Sequence, residues 1–216
     1  MRRTVLGAGI AVASVVAAAV LIRTSTTIGH TEPVSYAVGG GPADQSQVHL
    51  TLGDSPAAAG PDALGGGRGT RLIKLGCPGE TTSTMVRGGL CDYPGAAGPS
   101  LTDSQLAAAT SYLAAHPGQV SLITIDIGAN DLSSCLPGSG SGVAAIQACV
   151  QRAIPAAEQN LTGILAALRF AGYRSTIVAT TADESRLSPP LLAPYNRALR
   201  AVYQAFDVHL TTANVP

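Results

Sequence analysis

Beyond residue 47 the chain alternates short apolar runs with stretches where apolar residues recur every three or four positions. Residues 48–52, 71–75, 120–127, 176–180 and 208–212 are the runs, and each is predicted to be a strand; the third is rich in β-branched side chains. Helical spacing lies between them. Thr102 and Gln105 make a capping-box pattern ahead of Leu106, Ala109 and Leu113. Ile146, Val150, Ile154, Leu161, Leu165 and Leu168 predict a longer helix, kinked near Pro155 and ended by Gly172. Pro189-Pro190 opens a last helix through Leu199, Val202 and Phe206. Strands that alternate with helices imply right-handed crossovers and a parallel sheet covered on both faces. The expected fold class is therefore a three-layer α/β domain, in which ligands bind beyond the carboxyl ends of the strands.

A different pattern precedes this domain. Arg2 and Arg3 stand before the uncharged residues 4–22, and Arg23 closes the run. A positive segment ahead of a long apolar stretch is the signature of export, and this stretch approaches the length of a membrane span. Residues 1–23 are accordingly expected to be an export signal or an N-terminal membrane anchor. Either would place the domain outside the cytoplasm, secreted or tethered to the outer face of the cytoplasmic membrane. Residues 24–47, rich in Thr, Ser, Gly and Pro, read as a linker, which leaves residues 48–216 for the domain.

Acidic and basic residues balance at 13 each, so no basic surface for nucleic acid is expected. Apolar residues make up 46% with no Trp, which predicts a core of aliphatic and small side chains. The four cysteines, Cys77, Cys91, Cys135 and Cys149, are an even number in an exported domain and suggest two disulfides. Proximity favours Cys77–Cys91 and Cys135–Cys149, each closing a loop of about 14 residues. Zinc is the alternative, but no C-x-x-C pair or nearby His suits tetrahedral ligation.

Three polar clusters follow three of the predicted strands. Gly53-Asp54-Ser55-Pro56-Ala57 comes after the first, and a serine on a tight turn out of a strand can be exposed and polarised. Gly76-Cys77-Pro78-Gly79-Glu80-Thr81-Thr82 follows the second, where glycine lets a backbone N–H approach a substrate oxygen. Gly128-Ala129-Asn130-Asp131 follows the third and offers a side-chain amide to the same oxygen. Each cluster alone is an ordinary turn or helix start. Together, at the ends of neighbouring strands, they supply a nucleophile and converging donors for acyl transfer.

The same residues carry a family resemblance. Leu52-Gly-Asp-Ser55-x-Ala-Ala-x-Gly60 resembles the first block of SGNH/GDSL hydrolases. Gly76-Cys-Pro-Gly79-Glu-Thr-Thr-x-Thr-Met85 resembles the second block of a secreted bacterial esterase–lipase subgroup, and Ile125-Asp-Ile-Gly-Ala-Asn130-Asp131-Leu the third. The resemblance spans residues 48–215 and includes the cysteine placement. It implies a flavodoxin-like five-stranded parallel sheet and Ser55 as nucleophile. The oxyanion hole would be the Ser55 and Gly79 N–H groups with the Asn130 side chain. The implied substrates are carboxylic or lipid esters, cleaved without a metal or other cofactor by what is expected to be a monomer. The membrane would be touched only through the N-terminal segment.

The family's fourth element, Asp-x-x-His after the fifth strand, has no match, as though the chain stopped before it, and the hydrolase is expected to be impaired as it stands by lack of the catalytic His. Phe206-Asp207-Val208-His209 has the wrong spacing, and His209 opens the fifth strand. His49 opens the first strand, about 20 Å from Ser55 at ~3.3 Å per residue. His116 ends a helix at the far face, and His30 lies in the linker. Each is expected to be exposed or half-buried and away from the catalytic edge. A catalytically silent, exported module that binds ester or acyl ligands is the alternative function. Two further patterns carry less. Gly65-Gly66-Gly67-Arg68-Gly69 lacks the Lys-Ser/Thr ending of a phosphate loop, and the sequon Asn160-Leu-Thr162 falls within a predicted helix.

Overall fold

The structure, a computed structural model, describes residues 47–54, 70–94, 101–102, 104–136, 142–181 and 188–211. The expected export segment and linker, Ser55, and the glycine-rich residues 65–69 lie outside the described residues. All five predicted strands are present: β1 (Val48–Gly53), β2 (Arg71–Lys74), β5 (Val120–Asp126), β6 (Thr176–Thr180) and β7 (His209–Thr211). They form one sheet in the order β2-β1-β5-β6-β7, parallel throughout. This is the flavodoxin-like order, in which the second strand lies outside the first and the later strands add on the other side.

Every residue of β1 is buried, as a strand covered by helices on both faces requires. Among the described residues the helices are α1 (Thr82–Arg87), α2 (Gln105–Ala115), α3 (Val143–Phe170) and α4 (Pro189–Ala205), with a 3-10 turn at Asn130–Cys135. Their buried residues fall at helical spacing: Gln105, Ala108, Ala109, Tyr112 and Leu113 on α2; Leu161, Ile164, Leu165 and Leu168 on α3; Leu192, Tyr195, Asn196, Leu199 and Tyr203 on α4. The core departs from the expected aliphatic composition, because Tyr93, Tyr195 and Tyr203 are among its largest fully buried side chains. With no Trp in the chain, tyrosine supplies the aromatic bulk.

α3 runs unbroken through Pro155. The carbonyl that loses its partner there belongs to Gln151, and both residues lie on the exposed side of the helix. The helix ends as predicted near Gly172: the Gly172 N–H donates to Arg169 O and the Tyr173 N–H to Leu168 O, the paired bonds of a Schellman motif.

The start of α2 differs from expectation. Thr102 belongs to a short strand, β4 (Leu101–Thr102), paired antiparallel with β3 (Tyr93–Pro94). The cap is Ser104, whose Oγ accepts from the Ala107 N–H at 3.1 Å. Gln105 therefore opens the helix instead of closing a capping box, and its side chain is fully buried. A hairpin of two-residue strands is too short to leave a period in the sequence.

Cys77 is joined to Cys91 and Cys135 to Cys149, with Cα separations of 6.2 and 5.5 Å. The first holds the loop after β2 against the segment leading into β3; the second ties the 3-10 turn to α3. In the chain-entropy account each 14-residue loop stabilises the fold by about 3 kcal/mol. Thiol titration of the denatured, unreduced protein is expected to find essentially no free thiol, and two or more titrating groups would contradict this pairing. No helix among the described residues is long and apolar enough to cross a membrane.

Candidate active site

The strand order brings the three sequence clusters together. β1 sits between β2 and β5, so its carboxyl end, Gly53-Asp54, is flanked by the loops after the other two. β1 ends on Gly53 at φ +117°, paired in register with Asp126. A Cβ built there would lie 1.8 Å from Asp126 O, so only glycine permits β5 this close as the chain turns. The Asp54 N–H then donates to the same Asp126 carbonyl at 2.8 Å, which fixes the first residue of the turn.

Asn130 connects all three loops. Its Nδ2 donates to Asp54 Oδ2 at 2.9 Å and to the backbone carbonyl of Glu80 at 3.0 Å. One amide thus spans the turn after β1 and the loop after β2, from its own place at the start of the 3-10 turn. α4 supports that turn from below. Tyr195 Oη donates to Gly128 O at 2.9 Å, and a Cβ on Gly128 would come within 2.8 Å of Leu199 Cδ1.

Gly79 is exposed, at φ +85°, and its N–H has no acceptor among the described residues. Asp54 immediately precedes Ser55 in the chain and is itself buried. Beside these groups, Asp131 accepts from the Thr82 N–H (2.9 Å) and from Thr82 Oγ1 (2.5 Å), while Asn160 Nδ2 donates to Thr82 Oγ1 at 3.2 Å. Burial pushes the Asp131 carboxyl above its usual range, and the Thr82 donors pull the other way. The Asn160 bond also shows that the sequon amide faces the interior contact with Thr82.

The described histidines stand elsewhere. His49, expected to be exposed or half-buried, is buried on β1 beside β5, with its Nε2 3.0 Å from Thr124 Oγ1. Burial lowers its pKa, favouring the neutral ring. His116 caps α2, its Nδ1 3.0 Å from Tyr112 O and its ring stacked on Tyr112. His209 is exposed at the start of β7. His30 lies outside the described residues. No cluster of three or more metal-ligating side chains occurs among the described residues.

One part of the site escaped the sequence. Glu80, Tyr93 and Gln105 form a buried polar group beneath the β1 turn: Tyr93 Oη donates to Glu80 Oε2 at 3.0 Å, and Gln105 Nε2 lies 3.2 Å from Glu80 Oε2 and 3.1 Å from Tyr93 Oη. Burial raises the Glu80 carboxyl above its usual range, against the lowering effect of Thr84, Tyr93 and Gln105. The available signal was a glutamine on the apolar stripe of α2, where a helix packed on a sheet should present an aliphatic residue.

The sequence matches no protein-family model and no curated protein. Among solved structures, the chain is similar to the psychrotrophic esterase EstA from Pseudoalteromonas sp., at 16% identity and TM-score 0.45 over 77% of each chain. A protein described as a GDSL-like lipase from Parabacteroides merdae is 14% identical with TM-score 0.44 over 78% of each chain. A family two carbohydrate esterase from Cellvibrio japonicus is 16% identical with TM-score 0.46, over 79% of this chain and 53% of that one. At these identities the likeness is one of chain path and carries no chemistry across.

Proposed function

We propose that the chain is a serine hydrolase of the SGNH/GDSL kind, cleaving carboxylic esters, lipid esters among them, through Ser55. The observation that supports this best is the Asn130 amide, which links the Asp54 turn to the Gly79-Glu80 loop at the carboxyl edge of β1. A nucleophile following Asp54, an unengaged Gly79 N–H and a side-chain amide would then meet at one point. Ser55 Oγ attacks the ester carbonyl carbon, and the carbonyl π pair moves onto oxygen. That oxyanion accepts hydrogen bonds from the Ser55 and Gly79 N–H groups and from Asn130 Nδ2. Collapse expels the alcohol, whose oxygen takes up the proton lost from Ser55 Oγ; water then attacks the acyl-serine and releases the acid, one of its protons returning to Oγ. Both Asn130 amide protons are engaged in the free protein, so one of its two bonds must yield or bifurcate when the oxyanion forms. Two disulfides suit an oxidising, extracytoplasmic setting. We place the domain there, secreted or anchored through residues 1–23.

The proton on Ser55 Oγ needs an acceptor, and His49, His116 and His209 stand away from the Asn130 amide in the described fold. His49→Gln, His116→Ala and His209→Ala, each confirmed folded by melting, are expected to leave ester turnover within about twofold, far below the ~10⁴-fold or greater loss of a triad member. Loss of activity in one of them would identify that histidine as the base. The direct test of the nucleophile is a fluorophosphonate probe, followed by mass mapping of the modified peptide. Label on Ser55 is expected. A folded protein that takes none would favour the silent ligand-binding module instead.

A further inference from the structure

The ladder of β1 has an unusual partner at the point where the chain enters the Asp54 turn. β2 pairs with β1 as far as Thr51↔Lys74, and Leu75 and Cys77 still donate to Thr51 O and Gly53 O. The Gly53 N–H, on the same side, has no strand carbonyl to meet. Gln105 takes that place: its Oε1 accepts from the Gly53 N–H at 2.6 Å, and its Nε2 donates to Gly53 O at 3.0 Å. A side-chain amide thus imitates the donor–acceptor pair of a missing strand residue, across 52 positions of sequence. The amide is itself oriented. With Glu80 Oε2 and Tyr93 Oη beside Nε2, only the oxygen can face the Gly53 N–H. All three side chains are almost completely excluded from water.

We propose that Gln105 is a positioning residue for the nucleophile turn, clamping both polar groups of Gly53 so that the chain leaves β1 through Asp54 in one fixed direction. Glu80 holds the clamp in orientation and through its own carbonyl also accepts from Asn130, so one network steadies the turn and the amide donor together. This rests on Ser55 as nucleophile. Gln105 touches no reacting atom; its effect passes through the backbone of Gly53.

The test is kinetic, on a short-chain p-nitrophenyl ester with Ser55→Ala as reference. Gln105→Glu keeps the acceptor for the Gly53 N–H but sets a second carboxyl against Glu80. It is expected to lower kcat by roughly 10- to 100-fold with KM within about twofold, the signature of misplacement and not of lost substrate binding. Exchanging the two groups in Gln105→Glu/Glu80→Gln removes the carboxyl–carboxyl contact while leaving Gly53 O without its side-chain donor, and should recover part of the lost kcat. Gln105→Leu, which cannot accept from Gly53, should show the same kcat loss without rescue by Glu80→Gln. A Gln105→Glu enzyme that stays folded with unchanged kcat overturns the clamp while leaving the serine assignment intact. So does a double variant no faster than the single one. Wild-type activity that does not depend on Ser55 overturns both. If Gln105→Glu fails to fold, Gln105→Asn, shorter by one methylene, decides the matter by the same kcat-against-KM comparison.

Discussion

Ser55→Ala is expected to bring hydrolysis of a short-chain p-nitrophenyl ester down to the level of buffer and to abolish fluorophosphonate labelling. The physical ground is that the neighbouring carboxyls each accept at least one hydrogen bond from the protein. Asp54 Oδ2 is held by Asn130, Asp131 by Thr82, and Glu80 by Tyr93 and Gln105. In a complete serine site, loss of the hydroxyl costs on the order of 10⁶ in turnover, leaving only the catalysis that oxyanion donors give to attack by water. Steady-state rates and intact-protein mass after brief exposure to the ester check the same point by independent routes. An undiminished rate in the folded variant would show that water is activated by some other group and that no acyl-serine forms.

Asn130→Ala should produce the next largest effect, a fall of about 10²–10³ in kcat, the usual cost of removing one oxyanion donor. Two consequences can be separated. As a donor to the transition state, Asn130 should lower kcat and kcat/KM together when removed. As the link between Asp54 and the Glu80 carbonyl, its loss should also lower the melting temperature, because Asp54 is buried and gives up one of its donors. Asn130→Asp separates the roles further. It preserves shape, cannot donate, and places a second carboxylate against Asp54, so its turnover should fall at least as far as that of the alanine variant. An Asn130→Ala enzyme with a lower melting point but intact kcat would assign the residue to loop architecture alone.

The sequence by itself determined where the five strands of the sheet and the long helices lie, because the period of apolar positions is a local property and each element buries its own stripe. The three polar clusters were legible for a related reason: each directly follows a strand, and the alternation of strands with helices places strand ends on one edge. Cys77–Cys91 and Cys135–Cys149 could be paired by nearness along the chain, since each bridge closes a loop of 14 residues. Only the tertiary structure decided which buried polar atoms meet. Gln105 and Gly53 are 52 positions apart, Asn130 and Asp54 76, and Thr82 and Asn160 78; nothing periodic encodes such pairs. The same limit explains Gln105 read as part of a cap, the tyrosines in a core expected to be aliphatic, and His49 buried against Thr124. In each case a polar atom is tolerated inside because a partner from another element reaches it, and that partner exists only once the sheet has brought β1 between β2 and β5.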